Sequence, residues 1–289
     1  MLQWYHYAFL TAFTLGVVDT LVKKAAEKND EYTLTLVRLA YALPFIIPFL
    51  FFIKIPPLDS TFFTATVFAI PIDILALILY QRAIKISPLS LTLPFLSFTP
   101  VFVVVTSFVL LREMPDKNGL VGIALVFFGV YLLNIHDIYR GFLEPLKSLK
   151  KEKGARTMLI VAFLFSININ FGKIMAIHSS PDFLATFYIT ALTISYVLYL
   201  IATGKTYAIK KLKNSPFLFS MIGLFGLIHF FTHFIAVTMT DLASMISVKR
   251  TSILFSIIFA AIFLREFHFT ERLIGATVMI VGVWFIIVL

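Results

Sequence analysis

No cysteine occurs among the 289 residues, which excludes disulfides, thiolate catalysis and Cys-ligated metals. Charge is also scarce. Only 13% of side chains are Asp, Glu, Lys or Arg, against 60% hydrophobic, too few to coat a soluble protein of this size. The ten-residue alternation of a transmembrane barrel is absent. The first apolar run, which reaches Val22, lacks a basic leader region and a small-residue cleavage site, so it reads as a membrane span and not as a signal peptide. What the chain does have is a succession of long apolar stretches, with mean hydropathy +0.97. These define an all-α, polytopic membrane protein embedded in a lipid bilayer, expected in a cell (inner) membrane. The formal charge of +9 gathers in connecting loops. There it is an orientation and anionic-lipid signal and not a nucleic-acid footprint. No cofactor or metal is expected.

A helical span needs about 20 apolar residues. With Pro, Gly and charge clusters as breaks, ten spans follow at approximately 3–22, 32–53, 61–80, 88–111, 118–135, 157–177, 181–203, 216–238, 241–264 and 271–289. The longest connection lies near the middle, and the chain repeats across it. "LLRE" at 110–113 answers "FLRE" at 263–266, an offset of 265 − 112 = 153. That offset maps Leu120 onto Leu273, Gly122 onto Gly275, Gly129 onto Gly282, Tyr80 onto His233 and Ala83 onto Ala236. "AFTLGVVDTLVKKAA" and "AFLFSININFGKIMA" align at a slightly smaller offset. The expected organisation is a five-helix repeat over 1–136, a basic connection over 137–156 and a second five-helix repeat over 157–289. Five spans per copy is odd, so the second copy crosses the bilayer inverted, as in secondary transporters.

The stretch from "YQRAIKISPLS" to "FFGVYLL", its counterpart from "HFIAVTMTDLA" to "VGVWFII", the Glu113 and Glu266 that end spans four and nine, and the glycine pairs of spans five and ten together resemble the EamA-type branch of the drug/metabolite transporter superfamily. The resemblance implies ten helices, alternating access and movement of small metabolites. It also implies a proline in the middle of spans four and nine; Pro100 satisfies this, and Ile253 departs from it. Orientation is indicated in two ways that disagree. Lys and Arg after spans one, five and seven place both termini outside, whereas the resemblance places them in the cytoplasm.

Ionisable groups inside a membrane cost about 2.5–3.5 kcal/mol each and are site candidates by default. Lys249 and Arg250 lie near the middle of span nine, where the first copy has Leu96 and Ser97. A planar guanidinium beside an ammonium suits a carboxylate or phosphate; the competing reading is that one cation snorkels and the other pairs internally. The doublet also resembles the Lys-Arg of span nine in plastid phosphate translocators. Asp73, two residues after Pro71, is either a proton or cation acceptor or an N-cap after a proline break. His229 and His233 share a helix face at i and i+4 without the glutamate of a zinc HExxH motif, which favours solute contact or proton transfer by His233 over plain helix packing and over a metal. Tyr80, the mate of His233, would border the same cavity. Ser166, Asn170 and Lys173 form one polar stripe, with Asn170 a solute contact or interhelical glue. Asp19 with Lys23, Arg112 with Glu113 and Arg265 with Glu266 read as structural ion pairs. Arg38 reads as snorkelling from the end of span two.

These residues favour a secondary transporter of a small anionic or zwitterionic metabolite, such as an amino acid, a carboxylate or a phosphorylated compound. No catalytic residues are assigned. The alternatives are a proton-coupled exporter of organic cations that uses Asp73, and a membrane-embedded enzyme that uses the histidines. Two complete halves suit a working monomer, with a dimer as the alternative.

Overall fold

The computed structural model describes residues 2–132, 152–264 and 273–288. Arg265 and Glu266 lie outside them, so the ion pair expected there has no structural account. Every described element is helical. In chain order they are α1 (Trp4–Ala25), α2 (Glu31–Ala40), α3 (Leu43–Leu50), α4 (Ser60–Ile86), α5 (Leu89–Thr92), a 3₁₀ turn (Leu93–Ser97), α6 (Phe98–Leu111) and α7 (Lys117–Leu132). After the central connection come α8 (Lys153–Ile177), α9 (Pro181–Ala202), α10 (Tyr207–Lys210), a second 3₁₀ turn (Lys211–Lys213), α11 (Pro216–Met239), α12 (Leu242–Lys249), α13 (Ser252–Leu264) and α14 (Leu273–Val288).

Short polar residues set the helix starts. Asp30, Asp59, Ser180 and Asp241 each accept backbone N–H groups from the first turns of α2, α4, α9 and α12, satisfying donors that helical bonding leaves over. Among the described residues, seven stretches are long and apolar enough to cross a membrane, and Lys117–Leu132 and Ile274–Val288 are shorter apolar helices. Helix α1 has 22 residues but carries His6, Asp19, Lys23 and Lys24 and is less apolar. Two boundaries differ from expectation. Span three extends to Ile86, and α8 begins at Lys153, so the end of the basic connection is already helical.

The packing exchanges partners between the halves. Helix α1 lies along α11 and α13, while α8, which occupies the corresponding place in the second half, lies along α4. The remaining large contact joins α7 to α14, and glycines make it close. A Cβ on Gly122 would stand 2.6 Å from Gly282 O, and one on Gly129 would stand 2.8 Å from Gly275 O. As the α7 position rises by 129 − 122 = 7, the α14 position falls by 282 − 275 = 7, so the two helices cross antiparallel. Small residues permit this approach where hydrocarbon supplies no hydrophobic drive.

Spans two, four and nine are each broken. Span two turns between α2 and α3, where Gly223 of α11 packs on Tyr41 so tightly that an added Cβ would come within 2.2 Å of its carbonyl oxygen. Span four breaks at the 3₁₀ turn that contains Pro94. Span nine breaks at Arg250 and Thr251 without a proline. There the N–H groups of Thr251, Ile253 and Leu254 donate three residues back, to Val248, Arg250 and Thr251, and the Thr251 hydroxyl donates to Val248 O at 2.8 Å. Such hydroxyl back-bonding bends a helix. At the repeat offset of 153, Ser97 maps onto Arg250, so the two breaks are mates.

Candidate functional site

The breaks surround a cavity of about 100 Å³. Its walls are Leu15 of α1, Arg38 of α2, Asp73, Leu77 and Tyr80 of α4, Thr99 of α6, and Phe165, Asn168, Ile169 and Gly172 of α8. Tyr188 of α9, His229, Phe230, His233 and Phe234 of α11, and Ile246, Lys249 and Arg250 of the α12 break complete it. The two halves therefore share it.

Three cations line this space. Arg38 lies in the last turn of α2, Lys249 closes α12, and Arg250 is its C-cap. Helix C-termini carry partial negative charge that favours cations, which is the local reason that these breaks tolerate them. Arg38 and Arg250 are only 5% and 3% exposed, so neither snorkels to a headgroup layer. The Arg38 guanidinium stands 5.7 Å from the centroid of the Tyr80 ring and 3.9 Å from Asp19. Against the three cations stand two buried carboxylates, Asp19 behind Arg38 and Asp73 in the wall. Asp73 accepts the Tyr188 hydroxyl at 3.0 Å. Helix α4 runs unbroken through Pro71, so Asp73 caps nothing.

His229 Nδ1 lies 3.2 Å from Thr11 O. A carbonyl only accepts, so Nδ1 carries the hydrogen, leaving Nε2 as the acceptor of a neutral ring. The His233 ring stacks on it at 6.0 Å between centroids and 1° between planes. The Thr11 and Thr232 hydroxyls meet at 2.7 Å and help hold α1 against this face. Arg38 Nε, Arg250 Nε, Tyr80 Oη, Thr99 Oγ1, Asn168 Oδ1 and His233 Nδ1 find no hydrogen-bond partner among the described residues. Each buried group of that kind costs about 1–3 kcal/mol when dry. A wall that concentrates six of them is built for polar contents. Among the described residues no group of three or more His, Cys, Asp or Glu is arranged to hold a metal.

Lys249, Arg250, His229, His233, Tyr80 and Asp73 thus come together around one cavity, whereas Asn170 does not join them. Its amide donates to Thr106 Oγ1 at 3.1 Å and to Ser166 O at 2.7 Å, so it joins α8 to α6. The polar stripe of α8 is a packing face. Its cavity face is Phe165, Asn168, Ile169 and Gly172, also at helical spacing but mixed in character, so polarity alone pointed to the wrong side.

Two pairings and one placement also differ from expectation. Asp19 turns inward to Arg38, while Lys23 Nζ donates to Ile84 O and Ser87 O, each at 2.8 Å. A four-carbon stem lets an ammonium one turn away reach a different helix. Glu113 pairs with Lys173 at 2.6 Å and not with Arg112. Arg112 instead terminates α6 in the left-handed conformation, φ 58°, and its guanidinium lies 5.7 Å from the centroid of the Phe108 ring. Arg38 was expected at the bilayer edge, but the break after α2 places that helix end inside the protein.

Apolar helices long enough to span a bilayer, packed around a cavity with charged and polar side chains in its wall, define an integral multi-pass membrane protein. The EamA-like transporter family matches this chain twice, over residues 2–135 and 152–288. The chain therefore belongs to that family of transporters, within the drug/metabolite transporter superfamily. A solved structure titled "Crystal structure of protein" aligns over 97% of both chains with TM-score 0.66 and 14% identity, a likeness of fold alone. No curated protein matches the chain.

Proposed function

We propose that this protein is a secondary transporter that moves a small anionic or zwitterionic metabolite through the cavity by alternating access. The observation that carries the reading is the convergence of Arg38, Lys249 and Arg250 on a space where, among the described residues, Asp19 and Asp73 are the carboxylates that balance them. Lys249 and Arg250 hold the anionic group, the latter through a planar donor fork. Asp73, held by Tyr188, offers an acceptor for an ammonium or a proton, and His233 a second proton carrier. A cavity of about 100 Å³ is smaller than the roughly 150 Å³ that admits benzene in an engineered core, which favours a compact solute.

The rocking of two inverted five-helix halves draws support from two features. The antiparallel crossing of α7 and α14 pairs Gly122 with Gly282 and Gly129 with Gly275, the reciprocal pattern of two related surfaces. The breaks in spans four and nine fall at mated positions, as expected of helices that flank a solute site in such folds. An organic cation as substrate loses ground, because Asp73 is outnumbered by cations and already engaged by Tyr188.

The test is uptake or counterflow of candidate carboxylates, amino acids and phosphorylated compounds in proteoliposomes. Lys249→Ala and Arg250→Ala are each expected to lower transport at least about tenfold while the purified protein stays monodisperse. Wild-type rates in both variants would reject the site.

A further inference from the structure

The end of α11 is Thr240, its C-cap, and the end of α4 is Ser87, its C-cap; both are extended. Each ends a helix that carries cavity residues, and they are repeat mates, 240 − 87 = 153. On each rests a lysine. Lys173 Nζ donates to Thr240 O at 2.8 Å, and Lys23 Nζ donates to Ser87 O at 2.8 Å. The lysines are mates as well, both twelfth in the aligned starts of the two halves, 173 − 23 = 150. The same contact has thus been built twice. Each ammonium bridges further, Lys173 to Glu113 at 2.6 Å and Lys23 to Ile84 O at 2.8 Å.

A structural role in helix capping explains one such lysine, since ammonium groups satisfy leftover carbonyls and complement the helix dipole. It does not explain where the two contacts fall. Lys173 follows Gly172 of the cavity wall and fastens α8 to the end of the histidine-bearing helix α11. Lys23 fastens α1, which supplies Leu15 to the wall, to the end of α4, which supplies Asp73 and Tyr80. Each contact draws two cavity-lining helices together at one end. If the halves are inverted, the C-terminal ends of α1 and α8 face opposite sides of the membrane. Both contacts are made at once here, so both ends are fastened.

We propose that Lys23 and Lys173 are a matched pair of gate clamps, one on each face of the membrane, each releasing to open the cavity on its own side. The proposal rests on the alternating-access reading above but not on the solute. Charged hydrogen bonds of this kind are strong enough to hold a closed end and weak enough to break in each cycle.

The absence of cysteine permits a direct test. Leu77→Cys places one thiol in the cavity wall, and its reaction with a membrane-impermeant maleimide is followed in right-side-out and in inside-out vesicles. Lys173→Met is expected to raise labelling about tenfold in one vesicle orientation, and Lys23→Met to do so in the other. Glu113→Gln should reproduce the Lys173→Met pattern. Should either methionine variant fail to fold, Glu113→Gln and Lys23→Gln carry the same test. Increases on the same side, or no change in either, would overturn the clamps. Labelling from one face alone in the unclamped variants and the parent alike would instead reject alternating access.

Discussion

The breaks in spans four and nine occupy mated places and have opposite chemistry. In the first, Leu93, Pro94, Phe95, Leu96 and Ser97 are all buried, and Phe95 stacks on Phe98 at 6.5 Å. Only Thr99 from this region reaches the cavity. In the second, Ile246, Lys249 and Arg250 all reach it. Both bends are 3₁₀ in bonding, but the first contains a proline, whereas the second has the Thr251 hydroxyl bonded to Val248 O instead. The first copy shows that this architecture can turn a span with apolar residues and one serine. The two cations of the second copy are therefore no requirement of the bend, and at about 2.5–3.5 kcal/mol apiece they weaken it. A cost carried by one copy alone points to a ligand.

The strongest way to break this comparison is to give the second break the residues of the first. Lys249→Leu combined with Arg250→Ser is expected to abolish transport, because the donors proposed to hold the anion are gone. Thermal stability should hold, because the cost of keeping two buried charges is relieved. Lost stability would mean that the doublet holds the fold together. Arg250→Ala alone should lower uptake about ten- to a hundredfold, the worth of one charged hydrogen bond, as read from initial rates in proteoliposomes.

Between the halves, Gly129→Ala sharpens the symmetric part of the comparison. Its Cβ would stand 2.6 Å from Met279 N, so the α7–α14 crossing should lose about 1–3 kcal/mol, measured by thermal unfolding in detergent. In the first break, Ser97→Ala removes only a hydroxyl bond to Pro94 O at 2.7 Å. It should cost about 1 kcal/mol or less and leave transport unchanged.

The smallest expected effect lies outside the membrane segments. The Phe62 N–H holds the Asp59 carboxyl below its ordinary 3.8, helped by His178. A depressed carboxylate contributes its stabilisation above its unfolded value and loses it as pH falls through the lower folded value. Asp59→Ala should accordingly flatten the fall in thermal stability below about pH 4, as seen in melting curves across that range.

Much of the site was legible because charge in an apolar span is expensive wherever it occurs. Lys249, Arg250, Asp73 and the histidine pair all stood out on that ground, and all line the cavity. Asn170 stood out as well, yet it bonds to Thr106. An amide can satisfy itself on a neighbouring helix, and the residues alone do not say which face of α8 meets that neighbour. Asn168 and Tyr188 drew no notice for the same reason. The pairing of Glu113 with Lys173, 60 positions on, was equally hidden behind the adjacent Arg112, because adjacency in a chain that is leaving a helix says little about direction.

The sequence by itself determined the class of protein, its helices and its internal repeat, since these follow from local hydropathy and from residues recurring at a fixed offset. Tertiary structure alone decided that Arg38 turns inward, that Asp19 and Lys23 part company, and that two helix ends bring three cations to one space. Those outcomes depend on where spans bend and which faces meet, and such contacts join residues far apart in the chain.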